Sequence, residues 1–267
     1  MKNKCLFLLV FSISLVMASD IEVEVEVKVK AKVSEGEETS TTKIMGKVQY
    51  EGKAPRPKKV NMNADPICGK SHSGPSFNES FVINKENYMQ NVMVWVKNPK
   101  HSATVPTSAV ELDQIGCKYV PHVTGIMQGQ NLLIKNSDKT LHNIHSMSQI
   151  NSIFNFAMPP KTDPSTKKFD KNEDPFYIKC DVHPWMKSWV VVLDHPYWGV
   201  TDADGNYEID LNGLEAGEYE LCFWHEKWDK SMKSSGYCSD DYKQSITITD
   251  KSVEAGTKTF KRPPKKK

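Results

Sequence analysis

The densest chemistry in this 267-residue chain lies in seven residues, Cys180-Asp-Val-His183-Pro-Trp-Met186, which set a thiol, an imidazole and a thioether three positions apart. Soft and borderline donors this close together suit a transition metal. One thiolate and two imidazoles, with a weak axial thioether, form the trigonal site that favours copper cycling by one electron. The stretch supplies one imidazole, so the second has to come from elsewhere. Leu141-His142-Asn143-Ile144-His145, upstream, offers two. A lone cysteine is ordinarily a disulfide partner and a lone methionine ordinarily core; three donors sharing seven residues favour a metal instead. Zinc suits the set less well, because a thioether is a poor zinc donor. The chain has no Cys-x-x-Cys-His for haem attachment, and the loop lacks the second cysteine that a dinuclear copper site would want.

Those donors have to be held by short rigid elements. From Lys43 onward the sequence reads as all-β. Residues 44–52 alternate apolar and polar and end in a Gly-Lys-Ala-Pro turn. Residues 91–96, 131–135, 176–179 and 189–193 are β-branched or aromatic runs, separated by clusters of Pro, Gly, Asn and Asp. Short strands with turn signals at this spacing describe a sandwich or barrel. The donor loop falls between the runs at 176–179 and 189–193. His142 follows the run at 131–135 and the turn Asn136-Ser137-Asp138. Residues 200–209 read as strand, Asp-Gly hairpin turn and strand, with a similar pattern at 214–221. Asp202, Asp204 and Asn206 belong to that turn, since an EF-hand loop places its glycine at position six.

The ends and the composition place the chain. Residues 1–19 read as a signal peptide: Lys2 and Lys4, an apolar run too short to span a bilayer, and a small-residue exit. No later segment is apolar enough for a transmembrane anchor, so a periplasmic or secreted location is expected, where disulfides persist. Residues 20–43 are a low-complexity linker. Within it, 21–33 alternate with period two, three Glu followed by three Lys on one face, and their role stays open. Against 35 Lys+Arg and 33 Asp+Glu, the five basic residues of 261–267 leave the body mildly acidic, which argues against nucleic acid as a partner. Residues 253–267 are expected as a solvated basic tail.

Beyond the signal peptide five cysteines remain, an odd number. If Cys180 is a metal thiolate, Cys68, Cys117, Cys222 and Cys238 can pair; Cys222 with Cys238 closes a local loop and leaves Cys68 with Cys117, although sequence does not fix connectivity. His72, His101, His122 and His195 are expected at ordinary surface or turn positions, and Trp224-His225-Glu226 as a strand end with a polar tip. Asn78-Glu79-Ser80 fits a glycosylation acceptor.

Over residues 117–193 the donor loop resembles the short ligand loop of the cupredoxins, as in the amicyanins and plastocyanins, with Pro after the His and an aromatic before the Met. Leu141-His142-Asn143 resembles the upstream cupredoxin segment in which a His-Asn pair carries the first ligand. The resemblance implies one type 1 (blue) copper held by His142, Cys180, His183 and Met186. It also implies Asn143 as the residue tying the two ligand loops together, and His183-Pro184-Trp185 as the electron port. His145 has no ligand counterpart, although residue type alone does not separate it from His142. Thr201-Asp-Ala-Asp-Gly205 and Ala216-Gly-Glu-Tyr219 resemble carboxypeptidase-regulatory-like, transthyretin-like modules, and Gly46–Gly52 resembles the first strand of one. The combination is similar to exported proteins described as methylamine-utilisation-like. The expected architecture is all-β: an N-terminal β segment (44–110) able to pair with the C-terminal module, a Greek-key cupredoxin domain (111–196), and a transthyretin-like sandwich (197–252).

The function implied is electron carriage to a transient redox protein partner. Two rivals are a periplasmic copper chaperone or storage protein, to which Met147 and Met158 would contribute, and a β-sandwich binding module with a vestigial copper site. An enzyme is not expected, because four protein donors leave no open metal position for substrate.

Overall fold

The computed structural model describes residues 42–262; the readings of 1–19, 21–33 and 263–267 lie outside the described residues. At its centre is the strand Lys187–Leu193, buried along five successive positions. It pairs antiparallel with Glu173–Lys179 on one side and parallel with Val123–Met127 on the other. The five-stranded sheet continues from Glu173–Lys179 through His142–Ser146 to Asn155–Met158. Val190 and Val192 face one core, with Leu112, Ile126, Ile134, Ile144, Ile178 and the donor residues Cys180 and Met186. Trp189 and Val191 face a second core, with Val94, Leu221, Phe223 and Trp224. A strand covered on both faces has no polar alternation to keep, which is why residues 189–193 read as an unbroken apolar run.

The first core is closed by a four-stranded sheet in the order Tyr119–Val120, Val110–Gln114, Leu132–Asn136 and Ser165–Lys167. The second core is closed by two sheets. One runs Trp198–Val200, Met93–Val96, Gly217–Trp224 and Lys243–Ile248; the other runs Asn206–Asp210, Lys43–Tyr50 and Val253–Phe260. The fold is thus all-β, with two short α-helices, Pro66–Lys70 and Asp229–Ser235, among the described residues. No helix among them is long and apolar enough to cross a membrane. Both disulfides form, Cys68–Cys117 and Cys222–Cys238, and Cys180 is free and buried.

Two expectations need correction. Residues 253–260 are not tail: Val253–Phe260 pairs parallel with Lys43–Tyr50 and buries Phe260. The β-branched alternation Val-Glu-Ala-Gly-Thr-Lys-Thr-Phe carries that strand, and the lysines after it masked it. Residues 198–210 are not one hairpin: Trp198–Val200 pairs with Met93–Val96, whereas Asn206–Asp210 pairs with Lys43–Tyr50, so the chain changes sheet at the Asp202 turn. The carboxylate of Asp202 serves that turn itself, accepting from the backbone N–H groups of Asp204 and Asn206. The two strands of the segment 44–110 pair with strands of the C-terminal part, Lys43–Tyr50 with Asn206–Asp210 and Val253–Phe260, and Met93–Val96 with Trp198–Val200 and Gly217–Trp224. Met62 and Cys68 of the same segment lie in the donor-side core.

Candidate metal centre

Cys180 leaves the strand Glu173–Lys179 and Met186 enters the strand Lys187–Leu193, at the point where Lys179 pairs with Lys187. The intervening loop is tight. Met186 N–H donates to the His183 carbonyl at 2.9 Å and Cys180 N–H to the Met186 carbonyl at 3.3 Å. His183 N–H points at Cys180 Sγ from 3.4 Å, a donor aimed at sulfur that favours a thiolate. Asn143 ties this loop to the neighbouring strand: its Oδ1 accepts Asp181 N–H at 2.6 Å and its Nδ2 donates to the Asp181 carboxylate at 3.2 Å.

Three donors converge. His142 Nδ1 lies 2.9 Å from His183 Nδ1, and Cys180 Sγ lies 3.8 Å from His183 Nδ1. The donor atoms of His142, Cys180 and His183 all lie within 4.8 Å of one another, and all three residues are buried. Met186 is buried in the same core. The outer nitrogens face carboxylates. His142 Nε2 is 2.9 Å from Asp138 Oδ2, and His183 Nε2 is 3.1 Å from Asp65 Oδ2.

This arrangement tests whether a metal fits. A carboxylate accepts, so each imidazole donates Nε2–H outward and turns a bare Nδ1 lone pair inward. Two lone pairs facing each other at 2.9 Å repel unless a cation lies between them. Without a metal that cation is a proton. Burial works against charge on His142, yet the hydrogen bond and charge of Asp138, with the Cys180 thiol, push it up to about 9. Burial opposes ionisation of Cys180 too, but His142 and the loop N–H groups lower it. Burial lowers His183, against the raising effect of Asp65. The site therefore holds positive charge between three inward donors, and the residues fit a copper ion.

The two carboxylates were not legible as part of the centre. Asp138 takes Gly116 N–H on Oδ1 and Cys117 N–H on Oδ2, each at 2.7 Å, as well as His142. Asp65 caps the helix Pro66–Lys70 with Oδ1, which accepts from Ile67 and Cys68 N–H. Its Oδ2 takes the Thr140 hydroxyl at 2.7 Å and His183. Burial raises Asp65, but these four hydrogen bonds outweigh it and hold the acid down at about 2. Asp-Pro at a helix start was a readable capping signal; its proximity to a residue 118 positions away was not.

Of the two upstream histidines, His142 faces the thiol. His145 leaves the other face of the strand and binds Asp181 Oδ2 at 2.9 Å. His183 is not the exposed edge that an electron port requires. It is 2% exposed, with the helix Pro66–Lys70 against it, since Asp65 binds its outer nitrogen and Cys68 Sγ lies 3.8 Å from it. Pro184 is exposed. Trp185 is half-buried, its ring 5.0 Å from that of His183 and its Nε1–H donating to the Cys117 carbonyl at 3.0 Å. Three further histidines, His122 and His195 at bends and His225 just past the strand Gly217–Trp224, have covered side chains. His195 and His225 are buried, and the His122 side chain is paired with Glu226 at 3.0 Å in the second core's margin, where Trp189 Nε1–H reaches the same carboxylate. Local polarity in the sequence did not disclose that these tips are covered.

No family model matches the chain, and no curated protein matches it. Among solved structures, the purple cupredoxin from Nitrosopumilus maritimus is 22% identical, covering 32% of this chain and 99% of that one, with a TM-score of 0.28. Amicyanin from Paracoccus versutus is 22% identical over 38% of this chain and 97% of its own, with a TM-score of 0.29. A copper-containing nitrite reductase from Thermus scotoductus is 18% identical over 37% of this chain and 26% of its own, with a TM-score of 0.29. These likenesses span about two fifths of the chain or less, and the reading of the site rests on its own geometry.

Proposed function

We propose that the chain is an exported copper protein with one type 1 centre, held by His142, Cys180, His183 and Met186, that carries single electrons between redox partners. The observation that supports this most is the pair of inward Nδ1 atoms, each fixed by a carboxylate on its far side, beside a buried free thiol. Copper, when bound, supplies a one-electron couple between its two common oxidation states.

The chain's own contribution is to hold the donors in one place. Asp138 and Asp65 fix the tautomers and ring orientations of the two imidazoles. The N–H of His183 and the Asn143 bridge keep the thiol-bearing loop from relaxing. The covering helix and Trp185 keep water from the outer imidazole. Donors that cannot move favour rapid exchange of an electron, because little rearrangement accompanies it. Val182 and Leu141, each beside a donor in the chain, are 50% and 43% exposed, and Ile67 on the covering helix is 44% exposed. Scattered apolar side chains of this kind suit the small transient contacts of redox encounters. A copper-storage role gains no support from Met158, whose sulfur already accepts a hydrogen bond from Gln114.

The test is the visible spectrum of residues 20–267 after addition of Cu(II), beside a Cys180→Ser control. An intense blue or purple charge-transfer band in the parent, absent in the control, is expected. No band in either rejects the electron-carrier reading. A colourless Cu(I) complex that passes its metal to a competing chelator favours the storage role.

A further inference from the structure

An imidazole in a metal site has two nitrogens, and what the outer one meets decides how firmly the inner one is held. For His183 the outer partner comes from far away in the chain. Asp65 stands 118 positions earlier, at the start of the five-residue helix Pro66–Lys70. A helix of that length is not stable by itself. It is held by the disulfide from Cys68 to Cys117, and Cys117 N–H is in turn bound by Asp138, the carboxylate behind His142. Both outer carboxylates are thus joined through one cross-link, and Cys68 Sγ lies 3.8 Å from His183 Nε2.

Capping does not explain Asp65. Its Oδ1 alone accepts the two helix N–H groups; Oδ2 is left for Thr140 and His183. Serine or asparagine would cap equally well. Only a carboxylate offers a second accepting oxygen with a negative charge behind the imidazole.

We propose that Asp65 is a positioning residue of the metal centre: clamped by the Cys68–Cys117 cross-link, it seals the outer nitrogen of His183, fixes its inner nitrogen as a metal donor, and biases the site toward the oxidised ion. The role assigned to the metal rests on the copper reading above; the sealing of His183 does not. A negative charge behind a ligand stabilises the higher charge on the metal. Loss of Asp65 therefore raises the reduction potential and opens the imidazole to water.

Two variants separate this from a structural role. Asp65→Asn keeps the cap but removes the charge and the accepting oxygen. Asp65→Ser keeps the cap and leaves His183 without its partner. In the metal-free protein, exchange of the His183 ring C2 hydrogen with deuterated water, followed by mass spectrometry, is slow in the parent and several-fold faster in Asp65→Ser, at a temperature where both proteins are fully folded and with the Cys68–Cys117 cross-link intact. In the copper-loaded protein, Asp65→Asn keeps the charge-transfer band, while the preference for Cu(II) over Cu(I) falls about tenfold, which for one electron is a rise of ~59 mV. Equal exchange rates and equal potentials in all three proteins overturn the proposal. If the parent shows no band, the copper reading fails, and the exchange arm alone decides whether Asp65 seals His183.

Discussion

On the strand His142–Ser146 the two histidines are three positions apart, an odd number, so their side chains leave opposite faces of the sheet. That parity decides which of them reaches Cys180. Residues 142, 144 and 146 are buried, with Ile144 in the donor-side core, whereas His145 is only half-buried and bound to Asp181. His142→Ala is expected to abolish the charge-transfer band and to weaken copper binding by more than the ~10–100-fold that loss of an outer partner costs. His145→Ala should leave the band in place. A competition titration against a chelator of known affinity checks both, and a band that survives in His142→Ala would reassign the ligand. Asn143 acts at the same scale through its side-chain amide. Asn143→Ala leaves the Asp181 N–H without its acceptor, and the expected loss is ~1–3 kcal/mol by urea unfolding of the metal-free protein. Much of this was readable in advance. Cys180, His183 and Met186 announce themselves by donor type and spacing, and the strand's parity was available to choose His142. Asp138, four residues before His142, sits close enough to have been considered. Asp65 did not announce itself, because nothing local in Asp-Pro-Ile-Cys states which surface the capped helix will cover.

The helix Pro66–Lys70 shows why elements were less legible than ligands. Five residues containing a proline and a glycine have no amphipathic period to detect, and the helix exists through its cap and its cross-link. Strands with one face in water, such as Lys43–Tyr50 with its strict alternation, were legible at once. Trp198–Val200 and Asn206–Asp210 are also visible as strands, but which sheet each joins depends on partners more than a hundred residues upstream. The cross-link joins residues separated by 49 positions, and in the chain-entropy model losing such a link costs ~4 kcal/mol. The double variant Cys68→Ala/Cys117→Ala should therefore unfold at lower urea concentration in the metal-free state. Because the same change frees Asp65, the variant should also gain less stabilisation from added copper than the parent does. An unchanged copper-induced shift would show that the covering helix finds its place without the staple.

The described residues form two cores sharing one sheet, and the shared strand Lys187–Leu193 makes the metal side and the appended side depend on each other. Gly125 is a point of that joint. A Cβ there would stand 2.5 Å from the ring of Trp198, on a strand of the second core's wall. The second core adds to the acid sensitivity of the fold, beside the lowered His183 and Asp65 of the metal side. His225, fully enclosed between the rings of Phe81 and Trp228, is pushed down by burial to about 3, against the raising effect of Glu226 and with His122 and Lys227 lowering it further. His195, stacked on Tyr197, is pushed down by burial to about 4, with Asp194 raising and His101 lowering it. Both are neutral in the folded state and near 6.5 when unfolded, so between these values the unfolded chain binds more protons and stability falls as pH falls. Each group contributes a slope of ~1.4 kcal/mol per pH unit, His195 down to about 4 and His225 to about 3. Glu226 acts in the same direction lower down. Burial raises it, but His122 and Trp189 hold it at about 2, and its contribution, complete above about 4.5, fades as pH drops toward 2. Urea unfolding of the metal-free protein from pH 7 to 4.5 should show a steady loss of stability below 6.5. His225→Gln, which cannot take up the proton, should reduce that slope by one group's share. Because the two cores meet across one sheet, near-ultraviolet signals from Trp224 in one and Trp185 in the other should be lost together. A flat profile, or a second-core transition that leaves the environment of Trp185 intact, would show that the shared strand does not couple them.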